Sequence, residues 1–387
     1  MNHTELGTYD DEYEPIAAIF QDILIERPTS GAALSIWREG TCVVNLYGGF
    51  ADSEKEMNWK IDTPSVVFSS SKGIMSILAA KLYQENLLDY ETYAQSYWPE
   101  YGGGGENKTL VKDLLSHRAG LPAFAEPVTT EQTLNWKYMI ARLEAERPLW
   151  EPGTDYFYHA ITHGWLVGEL ISRITGKSAG EYLHDVGSVP LSLDCWLGLP
   201  SSLHPKVARL YATKSLEDFF RELRGTQTAA GDLLLSALTF DGAFPDVLVG
   251  PGSGFNDPRV QSAEIPGAGC IATAYSLAKL WSSTVVETDG VRLLTDETIA
   301  VATAPQSEGV PFADGPAPYS RFGMGFQLDS EARRYLSAKS FGHDGAGGQS
   351  AFADQDSKIG FAFLTNEMDG PIDLRATSLI DALRELL

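Results

Sequence analysis

The chain has 387 residues, a length that suits one large α/β unit or two lobes that share a cleft. Hydrophobic residues make up 43% of it and charged residues 21%, as in ordinary globular proteins and unlike disordered or fibrous chains. The formal net charge of -23 argues against binding a polyanion over a broad surface. We therefore expect no nucleic-acid partner and a mild preference for neutral or cationic substrates.

The cysteines and the apolar segments bear on where the protein works. Cys42, Cys195 and Cys270 show no paired spacing, which predicts reduced thiols and neither a disulfide framework nor a cysteine-based zinc site. The start of the chain lacks a basic segment followed by an apolar one, and no run of about 18 apolar residues occurs. We expect a cytoplasmic protein without membrane contact. The sequence does not indicate an oligomeric state.

The first part of the chain shows helical and then strand periodicity. Residues 11–26 carry apolar positions at helical spacing and predict an amphipathic helix. Residues 33–38 and 41–47 are rich in β-branched and aromatic side chains and flank Glu39 and Gly40, so they predict a β-hairpin. The middle of the chain then alternates helical stripes with loops that contain glycine and proline.

The C-terminal hundred residues return to strand-like runs, and a helix from about Ile372 to Leu386 closes the chain. This order predicts an α+β fold in which both termini build one antiparallel sheet flanked by helices, with a large, mostly helical insertion. We predict a discontinuous α/β lobe of residues 1–85 and 290–387, an inserted lobe of residues 86–289, and an active site in the cleft between them.

The first chemistry-bearing pattern is a serine followed three residues later by a lysine. Ser69 and Lys72 lie where the extended run 63–68 turns into a helix, so the lysine can hydrogen-bond the serine hydroxyl from the same helix face. Free N–H groups at the helix start favour an oxyanion formed there. Lysine acts as a base only where burial or positive charge lowers its pKa. The pattern recurs at Ser276 and Lys279, and its other interpretation is a helix cap with a surface lysine.

Two downstream patterns distinguish the first copy from the second. Residues 151–154, Glu-Pro-Gly-Thr, lead to Tyr158 and then to a helix, and residues 341–348 form a glycine-rich segment between two strand-like runs. A serine, a lysine, a tyrosine and a glycine-rich strand edge together supply a nucleophile, bases and a backbone donor for an oxyanion. We therefore predict acyl transfer centred on Ser69.

With these motifs in this order, nearly the whole chain resembles the serine β-lactamase and DD-peptidase superfamily, and above all its class C-like carboxylesterases of family VIII. Supporting segments lie at residues 114–122, 151–160, 269–280 and 319–327. The resemblance implies a β-lactamase/transpeptidase-like fold and a serine hydrolase that needs neither a cofactor nor a metal.

The resemblance also implies roles for individual residues. Ser69 matches the nucleophile of the family, Lys72 its partner base, and Tyr158 the tyrosine that passes a proton to the leaving group. The N–H groups of Ser69 and Ala346 match the oxyanion hole. His343, Asp344 and Gly345 occupy the family's triplet beside the substrate, and His159 follows the tyrosine as a substrate-binding or supporting residue.

Two departures from the family pattern change the expected substrate. Ala160 replaces the usual asparagine or serine, so no side chain there can position a substrate amide or Lys72. His343 replaces lysine and Asp344 stands beside it, which weakens a cationic pocket for a β-lactam carboxylate. We expect a carboxylesterase for small or medium acyl esters. The alternatives are a β-lactamase, a D-amino peptidase or amidase, a transesterase, or a non-catalytic binding protein on the same scaffold.

Other residues invite different interpretations. Residues 176–180 match G-x-S-x-G, but a capping box that starts at Ser178 explains them better than a nucleophile elbow. His159 and His163 have the spacing of zinc ligands without the accompanying glutamate, which favours packing or pocket roles. His117 fits a supporting role. His343 is either a satisfied strand-edge histidine or a hydrogen-bond donor near the substrate or Lys72.

Overall fold

The computed structural model describes residues 2–4, 6–103, 107–371 and 373–387. The strands are β1 (Asn2–Thr4), β2 (Gly7–Tyr9), β3 (Gly31–Arg38), β4 (Thr41–Gly49), β5 (Ser65–Val66), β6 (Cys195–Leu197), β7 (Tyr211–Ala212), β8 (Val249–Gly250), β9 (Ser253–Gly254), β10 (Cys270–Ala272), β11 (Arg321–Phe322), β12 (Gln327–Leu328), β13 (Ser340–Gly345), β14 (Gln349–Asp354), β15 (Ile359–Thr365) and β16 (Glu367–Met368). The helices are α1 (Glu14–Glu26), α2 (Ser70–Gln84), α3 (Val111–Leu115), α4 (Thr130–Thr133), α5 (Trp136–Ala145), α6 (Thr162–Thr175), α7 (Ala179–Leu183), α8 (Val189–Leu191), α9 (Lys214–Thr226), α10 (Ala229–Thr239), α11 (Pro258–Ser262), α12 (Ala274–Val285), α13 (Asp296–Ala302) and α14 (Arg375–Leu386).

The central sheet joins the two ends of the chain, which confirms the predicted α+β class. Its strand order is β1-β2-β4-β3-β15-β14-β13-β12-β11, and each neighbouring pair is antiparallel. The predicted hairpin is β3 and β4. Its two turn residues, Glu39 and Gly40, both have positive φ, at 50° and 79°, as the tightest hairpin turns require.

Side-chain alternation along the strands divides the core between the two faces of the sheet. On β15, Phe361 and Phe363 pack in the cluster that contains α1 and α14. Ala362 and Leu364, between and beyond them, belong to the larger cluster that contains α2 and α12. The helix predicted over residues 11–26 is a single 3-10 turn followed by α1.

The C-terminal helix and the lobe boundaries differ in detail from the expectations. Helix α14 begins at Arg375, and Ile372, where the prediction placed its start, lies outside the described residues. Helix α12, which the predicted division assigns to the inserted lobe, packs its apolar face against β3, β14 and β15. The division into lobes stays a prediction, and this packing favours a boundary before Ala274 instead of at residue 290. None of the described helices has the length and apolar character needed to cross a membrane.

Candidate active site

Ser69 lies at the N-terminus of α2, next to a strained residue. Phe68 has a φ of 45°, which is unusual for a bulky side chain, and its ring packs edge-on against Phe255. The two serines that follow Ser69 fix this helix start. Ser70 Oγ donates to the carbonyl of His343 at 2.8 Å, and Ser71 Oγ accepts from the N–H of Cys270 at 2.9 Å. The helix start is thereby fixed to both β13 and β10.

Lys72 is fully buried one turn into α2 and reaches back to Ser69. Its Nζ lies 3.0 Å from Ser69 Oγ, 2.5 Å from the carbonyl oxygen of Ala160 and 2.8 Å from that of Gly267. Burial without a paired carboxylate among the described residues holds the pKa of Lys72 well below its usual value. A neutral amine has two N–H groups for the two carbonyls and one lone pair, which is then directed at the Ser69 hydroxyl.

The two carbonyls meet at Lys72 because two glycines let their segments cross closely. A Cβ added to Gly164, in the first turn of α6, would lie 1.9 Å from the nitrogen of Gly267. A Cβ added to Gly267 would lie 2.4 Å from the carbonyl oxygen of Ile161. Only residues without a side chain permit this contact, so the crossing sets the position of the Gly267 carbonyl.

Tyr158 is the third group at the serine. Its side chain lines the same cavity as Ser69, and its ring centroid lies 4.8 Å from Lys72 Nζ. Burial raises the pKa of Tyr158 far above that of a free phenol, despite the opposing effect of the nearby Ser69 hydroxyl. Burial therefore disfavours both the ammonium form of Lys72 and the phenolate form of Tyr158 beside the Ser69 hydroxyl.

His117 fixes the backbone on both sides of Tyr158. Its carbonyl accepts from the N–H of Phe157, and its Nδ1 accepts from the N–H of His159, each at 3.2 Å. The ring packs against that of Tyr158 with centroids 5.0 Å apart. His117 adopts a positive φ of 66°, which is unusual for a residue with a side chain. This backbone conformation cannot be read from the sequence. The expectation that His117 is a supporting residue agrees with these contacts.

His159 does not face a substrate. It is fully buried, its Nδ1 donates to the carbonyl of Phe157 at 2.6 Å, and its Nε2 accepts from the N–H of Leu121 at 3.0 Å. Burial lowers its pKa to about 4, so the ring stays neutral. The substrate-binding alternative for His159 was wrong, because both ring nitrogens are used by the backbone, and its supporting alternative remains.

His343 lines the cavity at Ser69 as a neutral acceptor. Its Nδ1 donates to the carbonyl of Asp344 at 2.7 Å, so Nε2 carries no proton, and this buried atom has no hydrogen-bond partner among the described residues. Burial, with a smaller effect of Lys72, lowers the pKa of His343 to about 3. Of the two alternatives for His343, the donor role does not fit this tautomer, and the satisfied strand-edge role does not fit the unpartnered Nε2.

The remaining residues of the triplet fix the strand edge. The Asp344 carboxylate pairs with Arg333, and its N–H donates to Gln327 Oε1 at 2.9 Å. A Cβ added to Gly345 would lie 2.4 Å from the carbonyl oxygen of Val67, so a glycine is needed where β13 passes the start of α2. Ala346 follows at the same edge and lines the cavity with Ser69.

A largely apolar cavity of about 520 Å³ opens over Ser69. Leu234 and Leu238 of α10 form one wall, and Tyr319 and Phe322 form part of another. None of the described residues that line it is lysine or arginine. A second cavity of about 280 Å³ adjoins it across Ala346. Its apolar lining includes Leu216, Phe219 and Phe220 of α9, Leu238, Leu248 and Met368.

The contribution of α9 and α10 was missed at the sequence level. Both helices carry apolar stripes that predict ordinary core packing, and nothing in their periodicity indicates a cavity wall. The carbonyl of Gly267 was missed as well, because a backbone acceptor leaves no side-chain signature. The close crossing of two glycines far apart in the chain is visible only in three dimensions.

The competing serines have structural roles. Ser276 Oγ accepts from the N–H of Asp194 at 2.8 Å, while Lys279 pairs with Asp289 at 2.5 Å and donates to a backbone carbonyl. Ser178 caps α7 in the predicted capping box, and its hydroxyl donates to Glu264 at 2.5 Å. No group of three or more histidine, cysteine or acidic side chains within the described ranges is arranged to hold a metal ion.

Comparison with known proteins places this site in a family context. The sequence profile of the family described as Beta-lactamase matches residues 16–384. The chain is 28% identical over 379 residues to "Esterase/beta-lactamase LipL" of Mycobacterium tuberculosis, covering 95% of this chain and 84% of that protein.

Two solved structures share the whole fold. A structure described as a family VIII carboxylesterase superposes with a TM-score of 0.86 at 28% identity, covering 98% of this chain and 99% of the other. A penicillin-binding protein homologue from Caulobacter crescentus superposes with a TM-score of 0.86 at 30% identity, covering 99% and 100%. Both similarities extend over the sheet and the helical segments alike.

Proposed function

The chain belongs to the beta-lactamase family and is a serine hydrolase, and from this premise we propose that it is a carboxylesterase that forms an acyl-enzyme on Ser69. The observation that carries the proposal is the buried amine of Lys72, 3.0 Å from the Ser69 hydroxyl and held by two carbonyls. A serine is a weak nucleophile until an adjacent base accepts its proton, and this amine is such a base.

In the proposed acylation step, Ser69 Oγ attacks the ester carbonyl carbon while its proton passes to Lys72. The carbonyl oxygen becomes an oxyanion that the N–H groups of Ser69 and Ala346 stabilise. Collapse of this intermediate breaks the bond to the alcohol oxygen, which takes a proton from Tyr158. Lys72 then returns a proton to Tyr158, so the acyl-enzyme forms with neutral side chains.

In the proposed deacylation step, water replaces the alcohol. Tyr158 takes a proton from the water as it attacks the acyl carbon and passes its own phenolic proton to Lys72, and the Ser69 oxygen then leaves with the proton returned by Lys72. The same two side chains act in both halves of the cycle, because each half moves a proton from the attacking oxygen to the leaving oxygen through Lys72 and Tyr158. Because burial lowers the pKa of His343 to about 3, this residue is not proposed as a cationic binding group.

The cavity favours a neutral, apolar ester. It lacks lysine and arginine among its described lining residues, and the nearby Asp344 is neutralised by Arg333. A substrate carboxylate would lose its hydration there without gaining a cationic partner, which is costly. An uncharged ester has no such cost, so the lining supports an esterase over an enzyme for anionic β-lactams.

The two adjoining cavities divide the ester between them in this proposal. Tyr158 must reach the alcohol oxygen, so the alcohol lies in the larger cavity beside Tyr158, Tyr319 and Phe322. The acyl chain then extends away from Tyr158, across Ala346, into the smaller cavity lined by α9. Its volume of about 280 Å³ suits small or medium acyl chains.

A panel of p-nitrophenyl esters with increasing acyl length tests the proposed function. We expect saturable hydrolysis by the wild type and at least about a 10³-fold lower kcat for Ser69→Ala, because nucleophilic and acid-base catalysis are lost together. Ser276→Ala and Ser178→Ala are the matched controls for the two competing motifs and keep wild-type kcat. The assignment would be overturned if Ser69→Ala kept full esterase activity, or if activity were lost only in Ser178→Ala.

A further inference from the structure

The turn that carries Ala346 lies against a buried ion pair. The turn Ala346-Gly347-Gly348 joins β13 to β14, and Gly347 and Gly348 have positive φ of 80° and 91°. A Cβ added to Gly348 would lie 1.9 Å from Asp373 Oδ2 and 3.1 Å from Arg375 Nη2. The turn therefore packs directly on Asp373 and Arg375, which are each about 6% exposed.

Arg375 is bonded to the turn itself. One hydrogen of its Nη2 is shared between the carbonyl of Gly347 at 3.1 Å and that of Glu367 at 2.8 Å, and its Nη1 donates to Thr365 Oγ1 at 3.2 Å. The Gly347 carbonyl is two peptide units beyond the N–H of Ala346. One guanidinium thus connects the turn to the end of β15, to β16 and to the start of α14.

Asp373 fixes the orientation of that guanidinium. Its carboxylate accepts from Arg375 Nε at 3.0 Å and from Nη2 at 2.5 Å, and it also accepts from the N–H of Arg375. A planar guanidinium held at two nitrogens by one carboxylate has a fixed direction for its remaining donors. The donor directed at Gly347 is therefore held in place before any substrate binds.

The other side of the turn is fixed to the nucleophile segment. Gln349 Nε2 donates to the carbonyl of Val66 at 2.9 Å, and Ser70 Oγ donates to the carbonyl of His343 at 2.8 Å. These two bonds hold the strands that flank the turn. Among the described side chains, it is Arg375 that donates to a carbonyl of the turn itself, that of Gly347. An oxyanion hole depends on the distance between its two N–H groups, so this bond bears on catalysis.

We infer that Arg375, oriented by Asp373, is a positioning residue that holds the N–H of Ala346 in the oxyanion hole. The inference rests on the proposed function, because Ala346 is an oxyanion donor only if Ser69 is acylated. Arg375 touches neither the substrate nor Ser69. Its effect is on the transition state, in which the oxyanion forms, and not on the binding of the ground-state ester.

The test compares Arg375→Lys with Arg384→Lys, a matched control on the same helix whose guanidinium bonds the carbonyl of Tyr335 instead. A lysine keeps the positive charge but loses the fork that spans Asp373 and Gly347. We expect kcat to fall about tenfold in Arg375→Lys, part of the 10² to 10³ that one oxyanion donor contributes, with KM within about twofold. Arg384→Lys keeps the wild-type kcat.

A transition-state analogue separates positioning from a general structural effect. The affinity of an alkyl trifluoromethyl ketone, which forms a hemiketal oxyanion on Ser69, should fall in Arg375→Lys by the same factor as kcat/KM. If Arg375→Lys does not fold, Asp373→Asn takes its place with the same expectation, measured with an acetyl ester and a methyl trifluoromethyl ketone, because Asp373 also lines the smaller cavity that longer acyl chains would enter.

Failure of the positioning role of Arg375 can be distinguished from failure of the proposed function. If the wild type hydrolyses esters through Ser69 and the folded Arg375→Lys variant keeps both kcat and analogue affinity, the positioning role is overturned and the proposed function stands. The role is also overturned if KM and kcat change together in proportion to lost thermal stability. If the wild type is never acylated at Ser69, the proposed function fails independently of Arg375.

Discussion

Burial of Lys72 is what makes the proposed base role chemically reasonable for a residue that is normally charged. A lysine free in water is protonated at neutral pH, and the pKa of Lys72 is lowered because it is buried with two backbone carbonyls and one hydroxyl as its partners. A carboxylate in the same place would have kept the amine charged. The replacement of the usual asparagine or serine by Ala160 leaves the carbonyl of that residue as the contact.

The pH dependence of kcat/KM follows from the pKa directions of Lys72 and Tyr158. The neutral amine is the active form, so activity falls as the pH drops through the lowered pKa of Lys72 and is fully present above it. The phenol of Tyr158 keeps its proton into alkaline solution because its pKa is raised. We expect kcat/KM to rise with pH far below 10.5, the ordinary pKa of lysine. Above that rise we expect a broad plateau that extends through neutral pH without a decrease.

Steady-state kinetics from acid to alkaline pH measure this profile. His343→Gln is the control for a histidine limb, and it should leave the acid limb in place because His343 is neutral with a pKa of about 3. An acid limb that disappears in His343→Gln, or a wild type that becomes active only near the pKa of free lysine, would contradict the role of Lys72.

The sequence predicted that Ser69 and Lys72 meet, but it did not predict the contacts of the histidines, for physical reasons. Ser69 and Lys72 are separated by one helical turn, and that spacing alone brings their side chains together. The contacts of His117 and His159 depend on a positive φ and on backbone groups about 40 residues away in the chain, so no local pattern encodes them. The tautomer of His343 depends on a carbonyl that only the folded strand presents.

At the level of secondary-structure elements, the close crossing of α6 and the segment around Gly267 positions a carbonyl that holds Lys72, the proposed base. Gly267→Ala would place a Cβ 2.4 Å from the carbonyl oxygen of Ile161, so the backbone must shift and move the carbonyl that holds Lys72. We expect kcat to fall about tenfold or more, within the 10² to 10⁴ that acid-base catalysis contributes, together with a lower Tm.

Gly225→Ala is the matched control for that substitution. An added Cβ there meets no atom within 4 Å, and Gly225 lies in α9. Alanine in a helix is favoured over glycine by about 1 kcal/mol, so this variant should keep wild-type kcat with an equal or higher Tm. Equal kcat in Gly267→Ala and Gly225→Ala would show that the crossing does not position the base.

Helix α9 lines the smaller cavity and α10 contributes to both cavities, so these helices should set the acyl preference. Phe219→Ala enlarges the smaller cavity, and a longer acyl chain then gains about 0.8 kcal/mol for each additional buried CH₂. We expect the acyl length with the highest kcat/KM to increase, measured on the p-nitrophenyl ester series. The exposed Arg221 on the same helix gives the control Arg221→Ala, which should keep the wild-type optimum. An unchanged optimum in Phe219→Ala would place the acyl chain elsewhere.

At the level of the whole molecule, the neutral interior links the site to stability. Four histidines near Lys72, namely His117, His159, His163 and His343, have pKa values lowered by burial from 6.5. Below about pH 6.5 these histidines bind protons in the unfolded chain but not in the native state. Their contribution to stability is therefore fully present above that pH and is lost as the pH falls. Each histidine contributes up to about 1.4 kcal/mol per pH unit.

Urea unfolding measured between about pH 7 and about pH 5 tests this linkage. We expect the free energy of unfolding to fall on acidification, with a smaller slope in His163→Gln, which removes one of the four groups. His184, exposed on the surface, gives the control His184→Gln, whose slope should equal that of the wild type. A pH-independent stability of the wild type would contradict the neutral interior.

The fold as a whole was more predictable than the site. Strand periodicity and a two-residue turn predicted the β3-β4 hairpin, and strand-like runs at both ends predicted the shared sheet. The lobe boundaries were harder to predict, because the apolar stripe of α12 could pack equally well within a helical lobe or against a face of the sheet. The two adjoining cavities at Ser69 depend on loops and helix placements that periodicity does not encode.

The central claim is that Ser69 is the activated nucleophile, and covalent labelling tests it most directly. The wild type is treated with a fluorophosphonate and analysed by intact mass and peptide mapping. The account predicts one adduct, on Ser69, that is absent in Ser69→Ala and strongly slowed in Lys72→Met. An adduct on Ser178 or Ser276, or an unlabelled wild type at high probe concentration and alkaline pH, would contradict it.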